Sequence, residues 1–295
     1  MNFKCGYIAL IGKPNAGKST LLNAILEEQL SIVTAKAQTT RHRIVGILNR
    51  KDAQVIFLDT PGYHVSPKLL NTVMCKVVDN VISDADAVCL LIDVSNPDLD
   101  FNKQLFEKIG EQRCIVLLNK ADKVSKEKYE QIAHKLHQDW GAKEIIVMSA
   151  LRSLGTAEFL RSIIERLPAG VALYPTDIYT EHPVRFLVAE LIREQVFLQM
   201  HEEIPYSSAV EIEKYSEASG NKKLPEISAA IVVERESQKG MIIGNKGVRI
   251  KEIGKLARKK IEEMLGNKIV LKLFVRVDPN WTKNHHKLKE FGYSA

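Results

Sequence analysis

Residues 11–26 read IGKPNAGKSTLLNAIL, and the octet GKPNAGKS at residues 12–19 matches the spacing G-x-x-x-x-G-K-[ST]. The apolar run CGYIALIG (residues 5–12) leads into it, and an apolar, helix-forming stretch follows. A strand, a glycine loop and a helix in that order make a phosphate-binding loop. Gly12 and Gly17 allow backbone N–H groups to turn inward at a helix N-terminus, where the helix dipole favours anions. Lys18 is expected to reach the β- and γ-phosphates of a nucleotide, and Ser19 to place its hydroxyl on Mg²⁺. Lys13, Pro14, Asn15, Ala16 and Thr20 complete the binding stretch. An ordinary glycine turn has no need of Lys-Ser at its end.

Outward from the loop, the chain alternates apolar runs with helical patterns as far as residue 168. The runs are YIALIG, RIVGIL, QVIFLD, AVCLLID, CIVLLN and IIVMSA, with KLLNTVMCKVVDNVI and KEKYEQIAHKLHQDW among the intervening helical stretches. Near-continuous Val/Ile/Leu runs suit strands buried on both faces of a mostly parallel sheet, and the alternation predicts an open α/β domain with ligands at the strands' carboxyl ends. The stretch LPAGVALYPTD (residues 167–177) has two prolines and a glycine, as a linker does. The expected division is 1–168, a linker over 169–180, and a second domain over 181–295. In that second part the order is helix, strand, strand, short helix, long amphipathic helix, strand, an α+β pattern.

The nucleotide is read from strand ends. Asp59, Thr60, Pro61 and Gly62 follow QVIFL: the acid can hold Mg²⁺ through water, and the Gly62 N–H can meet a γ-phosphate. Asn119, Lys120, Ala121 and Asp122 follow CIVLL. An aspartate there accepts from the N1–H and N2 amine of guanine, a donor pair that adenine lacks, so ATP would leave a carboxylate unpaired. Ser149 and Ala150 follow IIVM and offer a backbone contact to the guanine oxygen. Each tetrapeptide alone suits a solvated turn, but together and in order they select GTP or GDP. The remaining switch residue is a threonine between the first helix and the second strand. Thr39 and Thr40 are both candidates to complete the Mg²⁺ shell while a γ-phosphate is present, with Thr40, beside Arg41, favoured.

Composition excludes other classes. The apolar runs are far too short to span a bilayer. No basic, apolar and small-residue leader precedes the first strand, so a cytoplasmic protein is expected. Cys5, Cys75, Cys89 and Cys114 form no CxxC pair, which argues against zinc and for reduced thiols. The formal net charge is +6 but unevenly spread. Residues 239–289 carry 14 Lys and Arg against 4 Asp and Glu, whereas residues 200–238 carry 4 against 8. A basic stretch of this density is a solvated face or a nucleic-acid footprint.

The order GKPNAGKS, QTTRHR, DTPG, NKAD and SA, followed by a basic module with Gly244, Asn245, Lys246 and Gly247, resembles the bacterial Era GTPases over nearly the whole chain. The resemblance implies a Ras-like P-loop GTPase domain, with helices on both faces of its sheet, joined to a type II KH domain. It further implies binding of the 3′ end of 16S ribosomal RNA and action in assembly of the 30S subunit. A monomer is expected, and peripheral association with a membrane, suggested for some members, is left open.

In Ras-type sites a glutamine after D-x-x-G positions the attacking water. Tyr63 stands there, and a phenol cannot copy that role, so its side chain is expected to turn away from the nucleotide. With Lys18, Thr40 and Gly62, Asn15 is a catalytic candidate. In related P-N-x-G-K-S loops this asparagine helps to hold K⁺ beside the phosphates, where a cation would act as an arginine finger does. Arg41 and Arg43 are alternative fingers, although their place before a strand suits RNA equally well.

Type II KH modules hold about four nucleotides of single-stranded RNA, with the G-x-x-G loop on the backbone. Gly244 and Gly247 let phosphates approach, Asn245, Lys246 and Arg249 lie alongside, and Ile242, Ile243 and Ile250 would floor the bases or serve as plain core. The tail DPNWTKNHHKLKEFGYSA mixes aromatics with lysines, which points to base stacking by Trp281 and Phe291. A non-hydrolysing RNA scaffold and a P-loop metabolite kinase are the rival readings. The intact Lys18, Ser19, Asp59 and Asp122 oppose the first, and the NKAD string opposes the second.

Overall fold

The computed structural model describes residues 3–64, 66–218 and 224–293, which leaves Ser294 and Ala295 of the basic tail outside the described residues. The chain forms two compact units whose main division falls between Glu181 and His182. Each is built round its own core.

The first unit is a six-stranded sheet in the order β2-β3-β1-β4-β5-β6. Its strands are β1 (Lys4–Gly12), β2 (Ile44–Asn49), β3 (Ala53–Asp59), β4 (Ala87–Asp93), β5 (Cys114–Asn119) and β6 (Ile145–Val147). All pairings are parallel except that of β2 with β3, which a three-residue turn joins as a hairpin. Every residue of β3 and β5 is buried, the consequence of apolar runs covered on both faces. The helices are α1 (Lys18–Leu26), α2 (Leu69–Asp84), α3 (Leu99–Ile109), α4 (Lys126–Trp140) and α5 (Thr156–Arg166). Val78, Val81 and Ile82 of α2, Leu105 and Phe106 of α3 and Leu136 of α4 pack with Ile11, Leu90 and Val116 of the sheet.

The proline- and glycine-containing stretch after α5 lies along β2 and β3. Ile47 N–H donates to the Tyr179 carbonyl at 2.8 Å, Thr180 Oγ1 to the Val45 carbonyl at 2.6 Å, and Asn49 Nδ2 to the Ile178 carbonyl at 3.0 Å. The buried Gln54 amide donates to the Tyr174 carbonyl at 2.8 Å and accepts from the N–H groups of Leu173 and Tyr174. An exposed sheet edge has unpaired backbone groups, and this segment satisfies part of the β2 edge.

The second unit runs α6 (Val184–Gln199), β7 (Ala209–Ser216), β8 (Glu226–Val233), α7 (Glu236–Ile243), α8 (Val248–Leu265), β9 (Val270–Val277) and α9 (His285–Glu290). Its sheet is β7-β8-β9, antiparallel then parallel. Ile227, Ala229, Ile231 and Val233 point to one face of β8 and meet Val188, Ile192 and Val196 of α6 and Ile253, Ala257 and Ile261 of α8. The order α-β-β-α-α-β is the type II KH plan. The α6 helix also buries charge: the Arg193 guanidinium is bidentate to Glu190 at 2.7 and 2.6 Å, and Glu194 takes Lys260 at 2.6 Å. Desolvation of these ions is offset by their pairing.

Candidate functional site

The carboxyl ends of β1, β3 and β5 deliver the phosphate loop, the D-x-x-G turn and the NKAD turn to one side of the sheet, around a cavity of about 320 Å³. Pro14, Asn15, Gly17, Lys18, Ser19 and Thr20 line it, with Gly62 opposite. Gly62 is required by space: a Cβ there would fall 2.6 Å from the backbone of Pro14. Gly12, at φ +153°, would drive a Cβ to 2.5 Å from the Leu91 carbonyl oxygen. The buried Lys18 ammonium donates to the carbonyls of Gly12 (3.2 Å) and Lys13 (3.0 Å). Burial pulls its pKa down from 10.5 to about 8, against the opposing pull of Asp59. Lys13 itself turns outward to pair with Asp98 and stands over the Phe101 ring.

Beside Lys18 three oxygens converge. Ser19 Oγ donates to Asp59 Oδ2 at 2.6 Å and lies 2.8 Å from Thr40 Oγ1. Burial pushes the Asp59 carboxyl up, while Lys18 and the hydroxyls of Ser19 and Ser31 hold it down. Asp59 Oδ1 is buried and without a hydrogen-bond partner among the described residues. Two hydroxyls and a carboxylate with one orphaned oxygen fit Mg²⁺, a hard cation that takes oxygen ligands and keeps several waters. Of the two candidate threonines, Thr40 is the one at this point. Thr39 Oγ1 instead bonds Thr34 Oγ1 and the Lys36 carbonyl, both at 2.8 Å. Thr60 Oγ1 faces inward to the Leu10 carbonyl at 2.8 Å, so it braces β1 rather than lining the cavity.

At the far end, Asn119 Nδ2 donates to the Ala16 carbonyl at 2.8 Å, and Asn119 Oδ1 accepts from Ala150 N–H at 2.9 Å. Ser149 Oγ donates to Asp122 Oδ1 at 2.5 Å. Of the Ser149–Ala150 turn, expected to offer a backbone contact to the guanine oxygen, the Ala150 N–H is engaged with Asn119. The Ser149–Ala150 turn acts first as a tie on the two NKAD side chains. Lys120, at φ +65°, lines the cavity and pairs with Asp93 at 2.5 Å.

Tyr63 turns away from the phosphate loop. Its ring packs 6.3 Å from Phe101, and its hydroxyl accepts from Lys108 at 3.0 Å. Asn15 sits at φ +63°, and its amide donates to the Ala35 carbonyl across the cavity at 3.0 Å. Arg41 is buried, and neither it nor Arg43 is among the residues lining the cavity. Sequence reading missed Ser31 on Asp59 (3.0 Å) and the cavity-lining Thr34, Ala35, Gln38 and Lys123. The stretch from Leu26 to Ala37 has neither motif nor periodicity to mark Ser31, Thr34 and Ala35, whereas Gln38 opens the QTTRHR string and Lys123 directly follows NKAD.

In the second unit, Gly244 (φ +70°) and Gly247 (φ +77°) bracket an exposed turn of Asn245 and Lys246 at the start of α8. Arg249 donates to the Met241 carbonyl at 2.7 Å. A cleft of about 280 Å³ adjoins, with Ile250, Leu271 and Leu273 as apolar lining and Lys251, Lys255 and Arg258 as cations. Ile242 is not its floor, because it is wholly buried in the core. Trp281 also departs from expectation. Its side chain is fully buried, with the indole N–H donating to the Ser207 carbonyl at 3.2 Å and the ring enclosed by Tyr293 and Phe291. An aromatic ring packed within its own tail cannot stack on a base in this conformation.

The family model described as "50S ribosome-binding GTPase" matches residues 7–120, and the KH domain model matches residues 203–282. The GTPase Era of Syntrophus aciditrophicus is 43% identical over 294 residues, covering 99% of this chain and 96% of that protein. The GTPase Era of Fusobacterium nucleatum is 42% identical, covering 98% and 99%. Among solved structures, Aquifex aeolicus Era Y63A bound to GDP·AlF4⁻ superposes with a TM-score of 0.94 at 37% identity, over 99% of this chain and 100% of that one. An Era in complex with MgGDPNP and nucleotides 1506–1542 of 16S ribosomal RNA gives a TM-score of 0.95, also at 37% identity and with the same coverage.

Proposed function

The chain belongs to the Era family of GTPases, and from that premise we propose that it is a GTP-hydrolysing switch that binds the 3′ end of 16S ribosomal RNA during assembly of the 30S subunit. The observation that carries the reading is the presence of two constellations at the carboxyl ends of strands in one sheet. Ser19, Thr40 and Asp59 converge at the phosphate end, and Asp122, braced by Ser149, stands at the base end.

When bound, Mg²⁺ neutralises charge on the β- and γ-phosphate oxygens, and Ser19, Thr40 and Asp59 would hold it. Lys18 compensates the same charge from the loop, and the Gly62 N–H contacts the γ-phosphate. Thr40 senses that phosphate, and its release after hydrolysis frees the stretch that carries it. Tyr63 takes no part in ordering the attacking water. The exposed Asn15 of the phosphate loop would help to hold a K⁺ ion, which would supply positive charge beside the phosphates.

The two functions divide at the linker. Residues 1–168 carry the nucleotide chemistry, and residues 181–295 hold single-stranded RNA at the G-x-x-G loop and along the basic cleft of α8 and β9. Among the described residues no helix is long and apolar enough to cross a membrane. The reading places the protein with its RNA in the cytoplasm, where any membrane association is peripheral. Phosphate release from GTP in Mg²⁺ and K⁺, measured beside titration of a labelled 16S 3′-end RNA, tests both halves. RNA binding without turnover would favour the scaffold reading instead.

A further inference from the structure

The ring of groups around Asp59 includes one that motif reading does not supply. Ser31 Oγ donates to Asp59 Oδ2 at 3.0 Å, on the same oxygen that Ser19 Oγ reaches at 2.6 Å. Both Ser31 and Asp59 are buried, at 2% and 0% exposure. Ser31 is held there by α1. Asn23 Oδ1 accepts from the N–H groups of Leu30 (3.1 Å) and Ser31 (2.9 Å), and Asn23 Nδ2 donates to the Ser31 carbonyl at 2.8 Å. Asn23 lies four residues after Ser19, one turn along the same helix face. The helix therefore reaches Asp59 twice, directly through Ser19 and indirectly through the Asn23 clamp on Ser31.

We propose that Ser31 is a positioning residue for the Mg²⁺ site: its hydroxyl, with that of Ser19, fixes the Asp59 carboxylate so that Oδ1 faces the ion's water shell. A carboxylate offers about four acceptor sites over two oxygens. Two donors on Oδ2 fix the plane of the group and leave Oδ1 as its free acceptor, in keeping with a buried Oδ1 that has no partner among the described residues. The hydroxyl is not needed to hold the 30–31 segment, because the clamp uses backbone groups alone. Without it, a fully buried carboxylate would keep a single hydroxyl donor and turn more freely. The proposal rests on the reading of Asp59 as the acid on the Mg²⁺ side of the nucleotide.

The test compares the parent with Ser31→Ala, Ser31→Cys and Ser31→Thr in the full-length protein. Two quantities are read: the Mg²⁺ concentration that half-maximally slows release of a fluorescent GDP analogue, and the affinity for that analogue in EDTA. Ser31→Ala and Ser31→Cys should raise the Mg²⁺ midpoint about tenfold, the weight of one hydrogen bond to a charged group, with affinity in EDTA held within about twofold. Ser31→Thr, which keeps a hydroxyl, should restore the parent midpoint. An unchanged midpoint in the alanine and cysteine variants overturns the proposal, as does an equal loss of affinity in EDTA, which would mark a purely structural hydroxyl. If Ser31→Ala does not fold, the near-isosteric Ser31→Cys decides alone. A parent whose GDP release ignores Mg²⁺ would overturn the reading of Asp59 and this proposal with it, an outcome distinct from failure in the variants only.

Discussion

The Asn119 side-chain amide joins the Ala16 carbonyl of the phosphate loop at 2.8 Å while accepting from Ala150 N–H at 2.9 Å, so one buried residue ties three loops together. Asn119→Ala leaves a buried carbonyl and a buried N–H without partners, each costing ~1–3 kcal/mol. GTP and GDP affinities should both fall by at least about tenfold and by the same factor, because the tie touches neither the γ-phosphate nor the base edge. Calorimetric titration with both nucleotides checks this, and a loss confined to GTP would contradict it.

Asp122 is the proposed determinant of base choice. Asp122→Asn replaces one of two acceptors by a donor, which suits the extra oxygen of xanthine and opposes the N2 amine of guanine. Preference should shift from GDP to xanthosine diphosphate, read as the ratio of the two dissociation constants. Equal GDP affinity in parent and variant would refute the assignment.

Asn15 and Tyr63 bear on hydrolysis. With the Tyr63 hydroxyl on Lys108, Tyr63→Phe should leave the turnover number within about twofold, since the bond it removes is remote from the phosphates. GTP turnover should be faster in K⁺ than in Na⁺ at equal ionic strength, and Asn15→Ala should abolish the difference. The same turnover in both salts for the parent protein counts against a bound monovalent ion.

Lys18 gives a pH prediction. Its pKa of about 8 in the free protein is below the ordinary 10.5, so the unfolded chain holds this proton more tightly than the folded one. The resulting penalty on stability is full below about pH 8 and is relieved as pH rises toward 10.5. Phosphate oxygens favour the charged form and raise the pKa again. GDP binding should therefore take up a proton near pH ~9 and little near pH ~7, measured by calorimetry in buffers of different ionisation enthalpy. Absence of uptake at the higher pH would remove Lys18 from the phosphate contact.

In the second unit, a charged loop and a buried aromatic should separate. Replacing both Asn245 and Lys246 by aspartate should lower the salt dependence of RNA binding, by ~0.7 in log–log slope for each phosphate that is no longer neutralised. GDP affinity should not change. Trp281→Ala should instead destabilise the unit by ~3–5 kcal/mol, the cost of removing a buried tryptophan. Denaturant unfolding that finds this variant as stable as the parent would mean the ring is not core.

The fold of the first unit and its class of nucleotide were legible in the amino-acid string alone. The GKPNAGKS, DTPG and NKAD motifs are local strings, each bound to the end of an apolar strand, and a parallel sheet brings such ends to one side. The helix and strand order of the second unit was equally legible, because its alternation of Ile227, Ala229, Ile231 and Val233 and the helical spacing of Ile253, Ala257 and Ile261 each declare one buried face. Thr40 and Thr39 were told apart only in the folded chain. Neighbours in sequence, they differ in which hydroxyl meets Ser19, and the path of a loop without periodicity sets that. Ser31 was hidden for the same reason: its place on Asp59 depends on Asn23, eight positions earlier in α1, which accepts from the N–H groups of Leu30 and Ser31 and donates to the Ser31 carbonyl. Trp281 shows the limit of composition. Aromatics among lysines describe a stacking surface and a small core equally well, and the difference lies in whether Tyr293 and Phe291 close over the ring.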